Sequence, residues 1–179
     1  MDVRLAVAND AEALAALVAA CMEESYPGHP GTSPAALARD VFAPPPPPAA
    51  QPRVALALDD HGTPRGYIAW DATYDLHWAS AGAHISDLYV APAARGLGVA
   101  AALVAYCCAA VRAAGGVYLR GEAYDRPSTR RLYGRIAVLQ PSGEVALGGR
   151  AFRRMAELAG ASPRVILAGL PPVAWNYEA

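Results

Sequence analysis

Residues 87–101 read DLYVAPAARGLGVAA. Asp87 to Val90 has strand character and stops at Ala91-Pro92. Arg95 follows, and Gly96 and Gly98 then open the strongest helical pattern in the chain. Leu97, Ala100, Ala101, Val104, Cys108 and Val111 keep helical spacing until Gly115-Gly116 stops it. N–H groups in the first turn of a helix have no partner inside the helix. The helix dipole adds partial positive charge at that end, so the two together make an anion site. Glycine at 96 and 98 removes the Cβ atoms that would hold a phosphate away from those amides. Arg95 adds a permanent positive charge. The stretch predicts a strand, a short loop and a helix whose start suits a diphosphate.

Upstream, Val3, Leu5 and Val7 alternate with Arg4 and Ala6, a short strand. Asn9 or Asp10 is placed to cap a helix with its apolar stripe at Leu14, Leu17, Val18 and Cys21. Ser33-Pro34 reads as a cap with proline in the first helical position, opening a short helix through Leu37 and Val41. Pro44 to Pro48 cannot be helix or central strand, and residues 44–52 read as a Pro-rich internal loop. Val54, Leu56 and Leu58 lead through a turn at Asp59 to Gly66 into Tyr67, Ile68 and Trp70, a hairpin. A further strand is expected from His84 to Val90.

Downstream, Val117 to Leu119 reads as a strand, and Pro127 or Ser128 opens a helix that carries Leu132 and Tyr133. Ile136 to Gln140 and Val145 to Leu147 read as strands, Phe152 to Leu158 as a helix and Val165 to Leu167 as a final strand. The element order is α/β with a mixed sheet. There is no internal repeat, so residues 1–179 are expected to form a single domain.

The 179 residues are 54% hydrophobic and 17% charged, which favours a packed globule. A formal net charge of -1 argues against nucleic-acid binding, which draws on clustered Lys and Arg. Cys21, Cys107 and Cys108 are an odd set without ligand spacing, read as small buried side chains in a reducing cytoplasm. Asp2, Arg4 and Glu12 near the start are unlike a signal peptide, and Val99 to Val111 is too short to span a bilayer. His29, His61, His77 and His84 have no metal-ligand spacing, and no G-x-S-x-G is present. No membrane, metal or hydrolase role is expected.

Gly96-x-Gly98-x-x-Ala101 also fits the dinucleotide fingerprint G-x-G-x-x-A. That motif expects a strand running straight into the first glycine and an acidic residue about 20 positions on. Here Ala91 to Gly96 intervene and Glu122 falls late.

The stretch resembles more closely the GNAT superfamily of N-acetyltransferases. The signature Q/R-x-x-G-x-G/A is read as Arg95-Gly96-Leu97-Gly98-Val99-Ala100, preceded by the strand Asp87 to Pro92. Downstream, Asp125 stands where members usually have Asn, and Tyr133 follows eight residues later on a short helix, at family spacing. The chain departs from the pattern at Asp125, at Ile136-Ala137-Val138, where Gly-Phe is usual, and in the tail 141–179.

The resemblance implies a GNAT-like three-layer fold: a mixed, mostly antiparallel central sheet flanked by helices and splayed between the fourth and fifth strands. It implies acetyl-coenzyme A as donor, with the amides of Gly96, Leu97, Gly98, Val99 and Ala100 on its pyrophosphate and Arg95 helping. Leu88, Tyr89 and Val90 would pair their backbones with the pantetheine arm, and Asp125 and Ser128 would also line the cofactor side. A strand N–H at Tyr89 or Val90 would polarise the thioester carbonyl.

Tyr133 is the candidate general acid for the departing thiolate. The acceptor would be a primary amine of a small molecule or a protein. With a lysine-like pKa near 10.4, about 1 in 2,500 such amines is neutral at pH 7, a shortfall of about 4.6 kcal/mol. Asp87 and His84 are the candidate bases. Being three apart on a regular strand, they are expected on opposite faces. Tyr26, Trp70, Glu122 and Tyr124, with His29, are candidates for the acceptor side. Members of the family often pair through sheet edges or tails, so a homodimer is a further expectation. Two other readings stay open: a GNAT-like module that holds acyl-coenzyme A without turnover, and a nicotinamide-dependent oxidoreductase.

Overall fold

The computed structural model describes residues 1–28, 31–43, 51–122, 127–139 and 144–170. Strands at Asp2–Leu5 (β1), Arg53–Leu58 (β2), Pro64–Asp75 (β3), Ser80–Val90 (β4), Leu119–Glu122 (β5), Val138–Leu139 (β6) and Glu144–Leu147 (β7) join in one sheet. Its order is β1-β2-β3-β4-β5-β7-β6, and every pair is antiparallel except β4 with β5. Helices lie at Ala11–Ser25 (α1), Pro34–Leu37 (α2), Val99–Ala113 (α3), Pro127–Ile136 (α4), Gly149–Glu157 (α5) and Pro163–Ala168 (α6). This is the expected three-layer α/β arrangement.

Strand β2 shows how the layers are built. Val54, Leu56 and Leu58 pack with Leu14 and Leu17 of α1 on one face. Ala55 and Ala57 pack with α3 on the other. Large side chains fill the α1 side, whereas alanines let α3 approach closely. Ser33 caps α2 as expected, its Oγ accepting from the Ala36 N–H at 3.1 Å. Asp10 does not cap α1 through its side chain. Its carboxylate accepts from Arg4 at 2.7 and 2.8 Å and from the Val7 N–H at 2.8 Å.

Helix α3 is apolar nearly all round because it is enclosed. Its Leu103, Ala105, Cys107 and Cys108 are fully buried, and Phe152 and Met155 of α5 and Ile166 of α6 join the same core. The tail's role is to cover the outer side of α3. Burial pushes the Cys107 and Cys108 thiols up, so they stay neutral packing groups.

Several boundaries differ from the sequence reading. Strand β4 begins at Ser80 rather than His84, and β5 at Leu119 rather than Val117. Ile136 closes α4 instead of opening a strand. Val165 to Leu167 is helical: Ser162 accepts from the Val165 N–H at 3.4 Å and Pro163 takes the first helical position, the same device as Ser33-Pro34. A three-residue apolar run cannot tell strand from helix. The Pro44–Pro48 run lies outside the described residues.

The β3–β4 hairpin is tied by Asp75, the buried carboxylate among the described residues. It accepts from the His77 and Trp78 N–H groups at 2.8 and 3.2 Å and pairs with Arg120 of β5. The Arg120 guanidinium lies 4.4 Å from the Trp78 ring centre and 5.1 Å from that of Tyr118. Burial opposes the Asp75 charge, but the two N–H groups and Arg120 outweigh it and hold the carboxyl below its usual range. A lowered carboxyl pKa contributes stability above the unfolded value, and that contribution is lost as pH falls through the folded one. Asp75→Asn is expected to lower the thermal midpoint at pH 7 and to flatten its decline below pH 4, read by calorimetry across pH.

Candidate active site

Strand β4 pairs with β5 at Ala83↔Leu119, His84↔Arg120 and Ile85↔Gly121 only. Along β3 it pairs as far as Val90. The stretch from Asp87 to Val90 is thus paired on one edge and faces a gap on the other, the expected splay between the fourth and fifth strands.

A β-bulge sets what faces that gap. Ala69 pairs with Asp87 and Trp70 with Ile85, so Ser86 is an extra residue in β4. Residues paired across an antiparallel sheet share a face. His84 pairs with Asp71, and Asp87 with Ala69, which lie two apart on β3. His84 and Asp87 therefore lie on the same face, contrary to the expectation from a regular strand. The bulge also selects amides. The Ala91 N–H donates to the Arg65 carbonyl at 2.9 Å. By strand alternation Tyr89 also turns its N–H to β3, and Leu88 and Val90 turn theirs to the gap. Of the two oxyanion candidates, geometry favours Val90 over Tyr89.

Beyond β4 the chain turns through Gly96 (φ 77°) and Gly98 (φ 81°) into α3. The N–H groups of Gly96 to Ala101 meet no carbonyl partner among the described residues, since the first bond here runs from Ala102 to Gly98. A Cβ at Gly96 would meet nothing within 4 Å, so that side is open. A Cβ at Gly98 would lie 1.9 Å from Pro163 Cβ of α6. Gly98 thus admits the tail helix as well as opening the amides. Gly98→Ala is expected to cost about 2–4 kcal/mol, from a left-handed non-glycine backbone plus overpacking. Gly96→Ala, with strain alone, should cost about 1–2 kcal/mol. Chemical denaturation of the two variants checks the difference.

Arg95 is not a free cation at the loop. It donates to Glu24 of α1 at 2.6 and 2.8 Å and to the Val90 carbonyl at 2.9 Å. It ties α1 to the loop. Leu97 is exposed and Val99 buried. Ser128 lies in the first turn of α4. Asp125 and Tyr124 lie outside the described residues, as does His29.

Tyr133 of α4 is buried on the α3 side of the sheet and lines a cavity with Ile85, Val104, Leu119 and Ile136. Burial, then the Asp87 charge, push its hydroxyl up to about 12. Asp87 lies on the α1 side. The Tyr67 hydroxyl donates to its Oδ2, and the Cys21 Sγ stands 4.0 Å from its Oδ1. Tyr133 and Asp87 therefore lie on opposite faces of the sheet.

Trp70 does not line an acceptor wall. It is 2% exposed and packs in the core under α3, because its register places it on that face with Ile85. Glu122 is exposed at the end of β5, two residues from Arg120, and Tyr26 is exposed at the end of α1. Tyr67, Cys21 and Glu24 escaped the sequence reading. Tyr67 read as strand core and Cys21 as helix stripe, and neither residue type signals a contact with Asp87. Among the described residues no cluster of three metal-binding side chains forms, and no helix is long and apolar enough to cross a membrane.

An opened mixed sheet with unpartnered amides at its mouth sets an anion-binding helix start beside a free strand edge in an α/β protein. The chain belongs to the acetyltransferase (GNAT) family, whose sequence model matches residues 12–137. It is accordingly an acyltransferase. Solved structures agree in fold. A ribosomal-protein-alanine N-acetyltransferase from Brucella melitensis biovar Abortus 2308 superposes with a TM-score of 0.61 at 20% identity, over 79% of this chain and 94% of that one. An aminoglycoside acetyltransferase from an uncultured soil metagenomic sample gives 0.60 at 22% identity, over 78% and 91%. AAC(6')-Iy in complex with the bisubstrate analogue CoA-S-monomethyl-acetylneamine gives 0.56 at 19% identity, over 73% and 84%. No curated protein sequence matches the chain.

Proposed function

We propose that this enzyme moves an acetyl group from acetyl-coenzyme A to a primary amine of a small molecule or protein, by direct attack in a ternary complex. The observation that carries the reading is the placement of Tyr133 and Asp87 on opposite faces of the β4–β5 gap. Direct transfer needs the amine to enter from one side while the thiol leaves on the other.

The residues present fit the donor. The six amides from Gly96 to Ala101 suit its pyrophosphate, and Gly96 leaves open space beside them. The Leu88 and Val90 amides facing the gap suit an arm that carries two amides of its own. Asp87 takes the proton from the incoming ammonium. The amine nitrogen then bonds to the acyl carbon, with the Val90 N–H on the developing oxyanion. As the C–S bond breaks, Tyr133 donates its proton to the sulfur, the proton shed by the acylated nitrogen restores the phenol through solvent, and the one proton held by Asp87 is released. We assign the base to Asp87 rather than His84 because Asp87 stands beside the unpaired stretch of β4, whereas His84 sits at the paired one. His84, Glu122 and Tyr26 are assigned to the acceptor side. No metal is required by this scheme, and it suits a cytoplasmic enzyme.

Calorimetric titration with acetyl-coenzyme A, beside a parallel cell with a nicotinamide dinucleotide, tests the donor. Thiol release with spermidine, kanamycin, L-lysine and an alanine-initiated peptide then tests transfer. Binding of the dinucleotide alone would overturn the reading. Tight acetyl-coenzyme A binding without thiol release on any amine would favour a non-catalytic holding role.

A further inference from the structure

We propose that Tyr67 is a positioning residue for the Asp87 carboxylate, with the Cys21 thiol as its second support; the inference rests on Asp87 being the base.

Tyr67 lies on β3, paired with Tyr89 and two residues from Ala69, the partner of Asp87. Its ring thus occupies the diagonal neighbour position, within reach for an aromatic side chain. Ala69 directly opposite Asp87 has only a methyl group, which leaves the space that the phenol crosses. Tyr67 is 2% exposed. Burial first, and then the Asp87 charge, push its hydroxyl far above the ordinary tyrosine value. It stays protonated at every working pH and acts only as a donor.

The Tyr67 hydroxyl holds Oδ2 from β3, and the Cys21 thiol approaches Oδ1 from α1 at 4.0 Å. An ionised carboxylate offers about four acceptor positions, so two supports leave room for the proton of the amine. Other ionisable groups on this side include Asp71 of β3, opposite His84, Glu24 of α1, Tyr89 and His84 of β4 and Arg120 of β5, the partner of His84, with Tyr133 of α4 beyond the gap. Glu24 is engaged by Arg95 and by the Tyr89 hydroxyl at 3.1 Å. Tyr67 is the phenol that bonds Asp87 directly. Without the bulge at Ser86, Asp87 would point to the other face and lose this contact.

The readout that needs no acceptor is the carbon-13 chemical shift of the Asp87 side-chain carboxyl at about pH 7. In Tyr67→Phe that resonance is expected to move, because the hydrogen bond that fixes the carboxylate is lost. With the fastest amine of the panel, kcat is expected to fall on the order of tenfold, with KM for acetyl-coenzyme A unchanged. In an Asp87→Asn background Tyr67→Phe should add little, a coupling that independent sites would not show. An Asp87 carboxyl resonance left unchanged in Tyr67→Phe, or effects that simply add, would overturn the positioning role. An unchanged rate in Asp87→Asn alone would remove the base assignment, and this inference with it.

Discussion

Tyr133→Phe is expected to lower kcat by about a hundredfold or more, with acetyl-coenzyme A affinity nearly unchanged. General acid catalysis contributes typically 10²–10⁴ in rate, and the substitution removes one oxygen from a buried site without changing its shape. Tyr133 lies in the wall formed by Ile85, Val104 and Leu119, so Phe keeps that packing. Burial and Asp87 hold its hydroxyl protonated up to about pH 12. Tyr133 is therefore always a donor in the working range and imposes no alkaline limb on kcat below about pH 10. The raised value also has a stability sign. Below pH 10 both folded and unfolded Tyr133 keep the proton; above it the unfolded chain gives up its proton first, so folding weakens as pH rises. Tyr133→Phe removes that alkaline weakening. Single-turnover thiol release beside equilibrium titration separates the rate effect from binding. An unaltered kcat would show that water or another group protonates the sulfur.

Asp87→Asn is expected to reduce kcat/KM for the amine by about a hundredfold or more at pH 7. The amide is isosteric and its one oxygen still accepts from Tyr67, with the NH2 turned to the Cys21 sulfur, so β4 and its bulge are retained. It cannot take a proton. Since about 1 in 2,500 lysine-like amines is neutral at pH 7, the variant must draw on that fraction alone. Its kcat/KM should then climb about tenfold per pH unit towards pH 10, while the native enzyme levels off earlier. A pH profile of both proteins checks this. Parallel profiles would place the base elsewhere, with His84, on the same face, as the next group to replace.

The parts of the site that follow local rules were legible in the sequence. Gly96 and Gly98 marked the loop because only a residue without Cβ accepts φ near 80° while leaving amides bare. Ser33-Pro34 marked α2, and the spacing from Arg95 to Tyr133 marked both sides of the gap. The same local signal, Ser162-Pro163, opens α6 and overrides the strand that the apolar run Val165 to Leu167 suggests. Trp70 lies under α3 rather than on the acceptor side; an aromatic residue in a strand carries no label for which layer covers it.

By itself, the sequence determined the α/β class, the glycine turn into α3 and the spacing of that helix start from a distant tyrosine. These depend on backbone chemistry and short-range spacing, which neighbouring residues settle. Tertiary structure alone decided the face on which each side chain acts. The bulge at Ser86 arises from how β4 registers on β3, and it moves Asp87 to the side of His84, Tyr67 and Cys21. Docking of α6 on Gly98 and pairing of Arg95 with Glu24 likewise join residues 65 to 71 positions apart, and pairing register, rather than any local preference, brings such groups within bonding distance.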